Sequence, residues 1–169
     1  GTDDSGSRIG FGIRVQMEAV ATANPVTVLI SGNTVQETES FSAINLNQGI
    51  VGQASTRTLN ATITNNIIRQ VDSGRAIVVQ QNNGTNPTSA GITNLDVRGN
   101  VIDLATIVGQ AGDGSSMRFR QLDANGGDMN IVQAAPTTSA IPGELDDANG
   151  FNEPGDTEAF PVLEISLSG

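Results

Sequence analysis

Cysteine, histidine, lysine, tryptophan and tyrosine are all missing from this chain of 169 residues. Each absence closes off chemistry. Without imidazole or thiol there is no side chain that ordinarily titrates near neutrality, no thiolate nucleophile, no disulfide and no ordinary zinc site. With no lysine, all eight positive charges are Arg, so catalysis would have to come from carboxylate, hydroxyl and guanidinium. The aromatics are five Phe, so the core must be aliphatic and platforms for stacking bases are scarce. No apolar run approaches the roughly 18 residues of a membrane-spanning helix. The length fits one domain.

Charge is short in one place only. Residues 1 to 120 hold nine carboxylates and eight Arg, whereas residues 121 to 169 hold nine carboxylates and no Arg. The net charge of -10 is therefore a C-terminal property, unlike the even acidic coat of a salt-adapted surface. With no basic patch, nucleic acid is excluded as a partner, and attraction to an anionic membrane surface is disfavoured. Gly1 to Arg8 carries neither Met nor a signal peptide, which reads as the start of an excised or processed segment. A chain without Cys fits an exported bacterial protein as well as a cytosolic one.

What the chain has in abundance is Gly (20) and Asn (16), the residues that best tolerate left-handed backbone. The Asn residues are periodic. Aligning LISGNTV (29 to 35), TITNNII (62 to 68) and DVRGNVI (96 to 102) brings Asn33, Asn66 and Asn100 into one column, 33 and 34 residues apart. GDMNIV adds a fainter fourth copy with Asn130, although Gly127 then occupies the position of Ile30, Ile63 and Val97. Two residues on, the column is apolar throughout: Val35, Ile68, Ile102 and Val132. A second track, GIRV, AINL, AIVV and SMRF, begins each time with a small residue. It alternates as a half-buried strand does, with Ile13/Val15, Ile44/Leu46, Ile77/Val79 and Met117/Phe119 facing inward and Leu163/Ile165 as a fifth pair.

Three short strands per repeat, few helix formers in sequence and an Asn at a fixed place predict an all-β fold, a parallel β-helix of four to five short coils. Asn33, Asn66, Asn100 and Asn130 are its expected corners. Each is expected to take the left-handed conformation itself and to bond its neighbours from coil to coil. The coils are expected over residues 9 to 132, after a solvated tail at 1 to 8. Residues 133 to 160 are expected to leave the stack as an acidic loop or cap, punctuated by Pro136, Pro142 and Pro154. Residues 161 to 169 should then return as a terminal strand. The alternative is an antiparallel sandwich, which would need hairpin turns between neighbouring strands.

The segments FGIRVQ, LISGNTV, SAINLNQG, TLNATITNNII, GRAIVVQ, LDVRGNVI and SMRFRQLD resemble the β-strand repeat segments of large bacterial exported proteins, in the right-handed parallel β-helix (pectate-lyase-like) superfamily. The resemblance covers about residues 9 to 132. In that group a G-I-x-V strand is followed by L-N-A-x-I-x-x-N-x-I and then by I-R-x-R-Q; LNATITNNI and MRFRQ follow this run closely. The resemblance implies a right-handed coil and an extracellular or cell-surface location. It also implies a structural, adhesive or assembly role within a longer polypeptide, without catalysis. Its partners would be surface glycans or neighbouring copies of the same or the parent protein.

Polysaccharide lyases share that superfamily, so an enzyme has to be weighed, although fold alone carries no activity. An Arg base with Asp-bound calcium could draw on Asp72, Arg75, Asp96, Arg98 and Asp103. Asp96 and Arg98 are two residues apart on one strand and so share its outer face. The bland reading is an ordinary surface pair. A Thr-x-Thr face for ice or glycan fails from the sequence alone, because Thr62 and Thr64 align with Leu29 and Ser31 on one side and with Asp96 and Arg98 on the other.

The sharpest local feature is GELDDANGFNEPGDTE, residues 143 to 158. Carboxylate and amide oxygens about Gly150 and Gly155 are the donor set of a hard cation, and Asp146, Asp147, Asn149, Asn152, Glu153 and Asp156 are the candidate calcium ligands. The stretch lacks the D-x-[DN]-x-[DN]-G order of an EF-hand loop. If these residues bind calcium, millimolar Ca2+ should raise the melting temperature by mass action, and Asp146→Asn with Asp147→Asn should abolish the rise. An unchanged thermal melt would leave a solvated acidic loop.

Overall fold

The computed structural model describes residues 10–17, 24–38, 41–49, 57–71, 74–82, 91–103, 117–122, 128–131, 150–151 and 163–166. Within them the β-branched, alternating segments form strands and no helix occurs, so no described helix is long and apolar enough to cross a membrane. The strands are β1 (Ile13–Met17), β2 (Val26–Ser31), β3 (Thr34–Thr38), β4 (Ile44–Gln48), β5 (Thr58–Thr64), β6 (Ile67–Val71) and β7 (Ile77–Asn82). They continue with β8 (Ile92–Arg98), β9 (Val101–Ile102), β10 (Met117–Leu122), β11 (Asp128–Ile131), β12 (Gly150–Phe151) and β13 (Leu163–Ser166).

They form three sheets. The first has the order β1-β4-β7-β10-β13, the second β11-β8-β5-β2 and the third β12-β9-β6-β3. Every pairing among them is parallel, which overturns the sandwich. The chain visits the sheets in fixed rotation, so three successive strands make one round and each strand pairs with its counterpart in the next.

The register stacks like on like. In the first sheet Ile13, Ile44, Ile77, Met117 and Leu163 form one column and Val15, Leu46, Val79, Phe119 and Ile165 another. In the second, Ile30 lies beside Ile63 and Ile63 beside Val97. In the third, Val35, Ile68, Ile102 and Phe151 align. Ile44, Leu46, Ile63, Ile68, Ile77, Val79, Val97, Ile102, Met117 and Phe119 are fully buried, and each such apolar side chain contributes about 1.5–3 kcal/mol of transfer free energy. One round could not bury its own apolar residues; the stack does.

Close approach between rounds excludes a side chain just ahead of β1 and β7. A Cβ on Gly12 would lie 2.8 Å from the Ala43 carbonyl oxygen, which already accepts the Ile13 N–H at 2.7 Å, and a Cβ on Gly74 would meet the Phe41 carbonyl carbon. Ala43 and Ala76 are correspondingly buried.

The fourth round corrects the alignment. Asn130 pairs with Asn94, not below Asn100, and the residue beneath Ile102 is Phe151 rather than Val132. The Asn match is accidental. Apolar alternation takes precedence, seating Met129 beside Thr93 and Ile131 beside Leu95, where both pack against the core. Residues 133 to 160 are therefore not one uninterrupted excursion, since β12 returns within them to extend the third sheet beside β9. β13 then pairs with β10 as the terminal strand. The tail at 1 to 8 lies outside the described residues, as do 132 to 149 and 152 to 162.

Ile63 is fully buried with strands on both sides. Ile63→Asp would strand an unpaired charge among aliphatics, so far-UV circular dichroism should show loss of the cooperative unfolding transition.

Candidate functional site

Between the second and third sheets the chain turns within two residues. The left-handed residue there is not the anchor Asn but the one before it: Gly32 at φ 70°, Asn65 at φ 55° and Gly99 at φ 65°. This corrects the expected conformation of the anchors. Gly and Asn are the residues for which this region costs least, and the turn frees Asn33, Asn66 and Asn100 to point their amides along the stack.

Those amides form a ladder. Asn66 Oδ1 accepts both the Asn33 N–H and Asn33 Nδ2, each at 3.0 Å. Asn100 Oδ1 accepts the Asn66 N–H at 3.1 Å and Asn66 Nδ2 at 2.9 Å. The second hydrogen of each inner amide reaches back to the end of a strand in the preceding round, Asn66 Nδ2 to Ile30 O at 3.0 Å and Asn100 Nδ2 to Ile63 O at 2.9 Å. Asn66 and Asn100 are fully buried, so these bonds satisfy groups that would otherwise be costly. Backbone bonds from Ile67 N to Asn33 O and from Val101 N to Asn66 O, both 2.8 Å, lock the same corner.

A second amide ladder runs over the outer face of the second sheet. Asn94 Nδ2 donates to Asn60 Oδ1 at 2.8 Å and Asn130 Nδ2 to Asn94 Oδ1 at 3.0 Å. Here Asn130 finds its place. Beside this row lie Leu29, Thr62 and Asp96, then Ser31, Thr64 and Arg98. Thr64 Oγ1 donates to Ser31 Oγ at 3.2 Å, and Arg98 Nη2 meets Asp96 Oδ2 at 2.9 Å, with the Arg side chain 68% exposed. On the third sheet the Arg69 guanidinium donates to Gln36 Oε1 through Nε (3.0 Å) and Nη2 (2.8 Å).

Sequence reasoning missed a third device, the buried glutamines. Gln48 ends β4 and Gln81 is next to last in β7, the two in one column, each facing inward and nearly inaccessible. Gln48 Nε2 donates to Arg57 O and to Ile92 O, Gln81 Nε2 donates to Gly91 O, and the Thr93 hydroxyl donates to Gln48 Oε1. Each glutamine ties the end of a first-sheet strand to the start of a second-sheet strand. A column of Gln two residues beyond the apolar pair, at 48, 81 and 121, was the available signal.

The proposed catalytic set is dispersed. Asp96 and Arg98 share the outer face of β8, Arg75 is buried ahead of β7, and Asp103 follows β9 on the third sheet; Asp72 lies outside the described residues. The candidate calcium ligands Asp146, Asp147, Asn149, Asn152, Glu153 and Asp156 also lie outside them. Gly150, read from the sequence as a turn centre for that site, is in β12, where its backbone is extended and paired with Val101. Among the described residues no three carboxylates gather as a metal site.

Asn66→Ala would remove four hydrogen bonds at once, those from the Asn33 N–H and Asn33 Nδ2 and those to Ile30 O and Asn100 Oδ1, a loss of about 3 kcal/mol. Asn33→Ala leaves Asn66 Oδ1 still holding the residue 33 N–H and should cost about 1 kcal/mol. Urea unfolding of the two variants checks the order; equal losses would mean that the ladder is not what the amides contribute.

Compared with protein-family models, with curated proteins and with solved structures, the chain matches none.

Proposed function

We propose that the three sheets wind as a right-handed parallel β-helix, and that this stack serves as a structural, adhesive or assembly module of a bacterial secreted or cell-surface protein. The observation that carries the reading is the use made of the polar side chains. Asn33, Asn66 and Asn100 on one ladder, Asn60, Asn94 and Asn130 on another, and Gln48 and Gln81 at a third position all spend their hydrogen bonds on holding one round to the next or one strand to its successor. Such side chains build a stiff rod with a regular outer surface. Partners of that surface would be glycans or further copies of similar modules. Labelling intact source cells with an antibody against the chain tests the location: surface label supports it, and label that appears only after lysis overturns it.

The second reading, a polysaccharide-binding or lyase-type β-helix with calcium, is favoured by one observation. The exposed Arg98 and its Asp96 partner lie on a polar face beside the Asn60, Asn94 and Asn130 row. As a catalytic base, however, a guanidinium must lose a proton that it holds until far above neutral pH. Incubation with pectic and other anionic polysaccharides in calcium should yield no unsaturated product by ultraviolet absorbance; release that Arg98→Ala abolishes would establish the lyase instead.

A further inference from the structure

The corner ladder has rungs at Asn33, Asn66 and Asn100, and the third sheet has a further strand, β12, beyond them. The register names the residue that follows Asn100 in the column. Thr34 lies beside Ile67, Ile67 beside Val101 and Val101 beside Gly150. Each anchor is the residue one before this row, and in the fourth round that place falls to Asn149. Asn149 is outside the described residues. It is bonded to Gly150, however, which is within them, and consecutive Cα atoms are about 3.8 Å apart. An Asn therefore recurs at the corner after a step of 49 residues, where the earlier steps are 33 and 34.

The rounds above show what such a residue would do. Asn66 Oδ1 and Asn100 Oδ1 each accept the N–H and the Nδ2 of the anchor before them. In return Asn66 Nδ2 donates to Ile30 O and Asn100 Nδ2 to Ile63 O. Ile30, Ile63 and Val97 share one column, so the next rung would donate to Val97 O and accept from Asn100. The other hydrogen of Asn100 Nδ2 meets Arg98 O at 3.4 Å, beyond the usual range of a good hydrogen bond. Val97 and Asn100, the two residues that the pattern names, each hold a further interaction besides those given above.

We propose that Asn149 is the fourth anchor, and that the ladder shields there the one anchor peptide bond open to deamidation. Asn33, Asn66 and Asn100 are followed by Thr34, Ile67 and Val101, β-branched residues that crowd their own N–H. Asn149 is followed by Gly150, which has no Cβ in the way. In a freely rotating Asn149 the Gly150 nitrogen attacks Cγ and gives up its proton, ammonia leaves, and a succinimide forms. Water then opens the ring to an aspartyl or isoaspartyl residue. An amide held at both its oxygen and its nitrogen does not turn into line for that attack. The same placement takes Asn149 out of the calcium set, because its oxygen faces Asn100.

Peptide mapping by mass spectrometry, on the full chain incubated in native buffer and in urea, measures the shielding. Deamidation at residue 149 should be roughly tenfold or more slower in native buffer, since the site reacts only after local opening. Urea unfolding in EDTA measures the rung. Asn149→Ala should raise the unfolding constant roughly tenfold, and Asn100→Ala with Asn149→Ala should cost less than the two singly, as within one network. Equal deamidation rates in the two solutions overturn the proposal. So does an Asn149→Ala chain that is destabilised only when calcium is present, the behaviour of a cation ligand, or one that unfolds like the parent. If Asn149→Ala does not fold, the deamidation rates of the unaltered chain decide alone.

Discussion

A buried amide that must donate in one direction and accept in the other is the constraint on which this structure depends. Asn66 lies inside the protein with no access to water, and every polar atom of its side chain is satisfied by a residue about one repeat away: Asn33, Ile30 and Asn100. Shifting the third sheet by two residues against its neighbour, which keeps the same side chains facing inward, would orphan these groups together, at about 1–3 kcal/mol each. Aliphatic packing alone discriminates less sharply, since Ile, Val and Leu exchange places in the inward columns with little change of volume. The apolar columns therefore supply most of the stability, and the corner amides fix the register in which it is obtained.

That division of labour explains what is legible in the sequence. Ile-x-Val alternation and the Asn column at 33, 66 and 100 are local patterns imposed by every round alike, so parallel strands and the inward residues of the first sheet can be read from them. The left-handed position is written there too, as Gly32 and Gly99 directly before the anchors, but Asn65 breaks the Gly column and leaves the Asn column the more regular of the two. Asn130 misleads because the same residue type recurs at nearly the right interval; the alternation of Met129 and Ile131 shows the true register.

Other features lie beyond alternation. Glu37 and Gln70 stack one round apart with φ of 57° and 55°, although neither is a residue that favours this region, and each such residue costs on the order of 1 kcal/mol. The kink reverses the facing of the next residue in each strand, so that Thr38 and Val71 turn inward and are buried. Strict alternation from Ile68 would have put Val71 in water. The burial of a valine side chain, about 1.5–3 kcal/mol, is enough to offset the strain. Nothing in the local sequence announces this, because the gain is made only when the round closes on its neighbours.

The glutamines bear on why rounds of unequal length can share one frame. Between corresponding strands of the first sheet the chain takes 31, 33, 40 and 46 residues, yet the pairing stays in step from β1 to β13. Loop length by itself adds little to the cost of closure, about 0.6 kcal/mol per doubling. What a longer loop puts at risk is the relative position of the strands it joins. Gln48 and Gln81 remove that risk where they occur, bonding the carbonyls of Arg57 and Gly91 across the connection so that its ends are held whatever lies between. Variation is thereby confined to the connecting segments, while the columns of Ile, Val, Asn and Gln repeat from round to round.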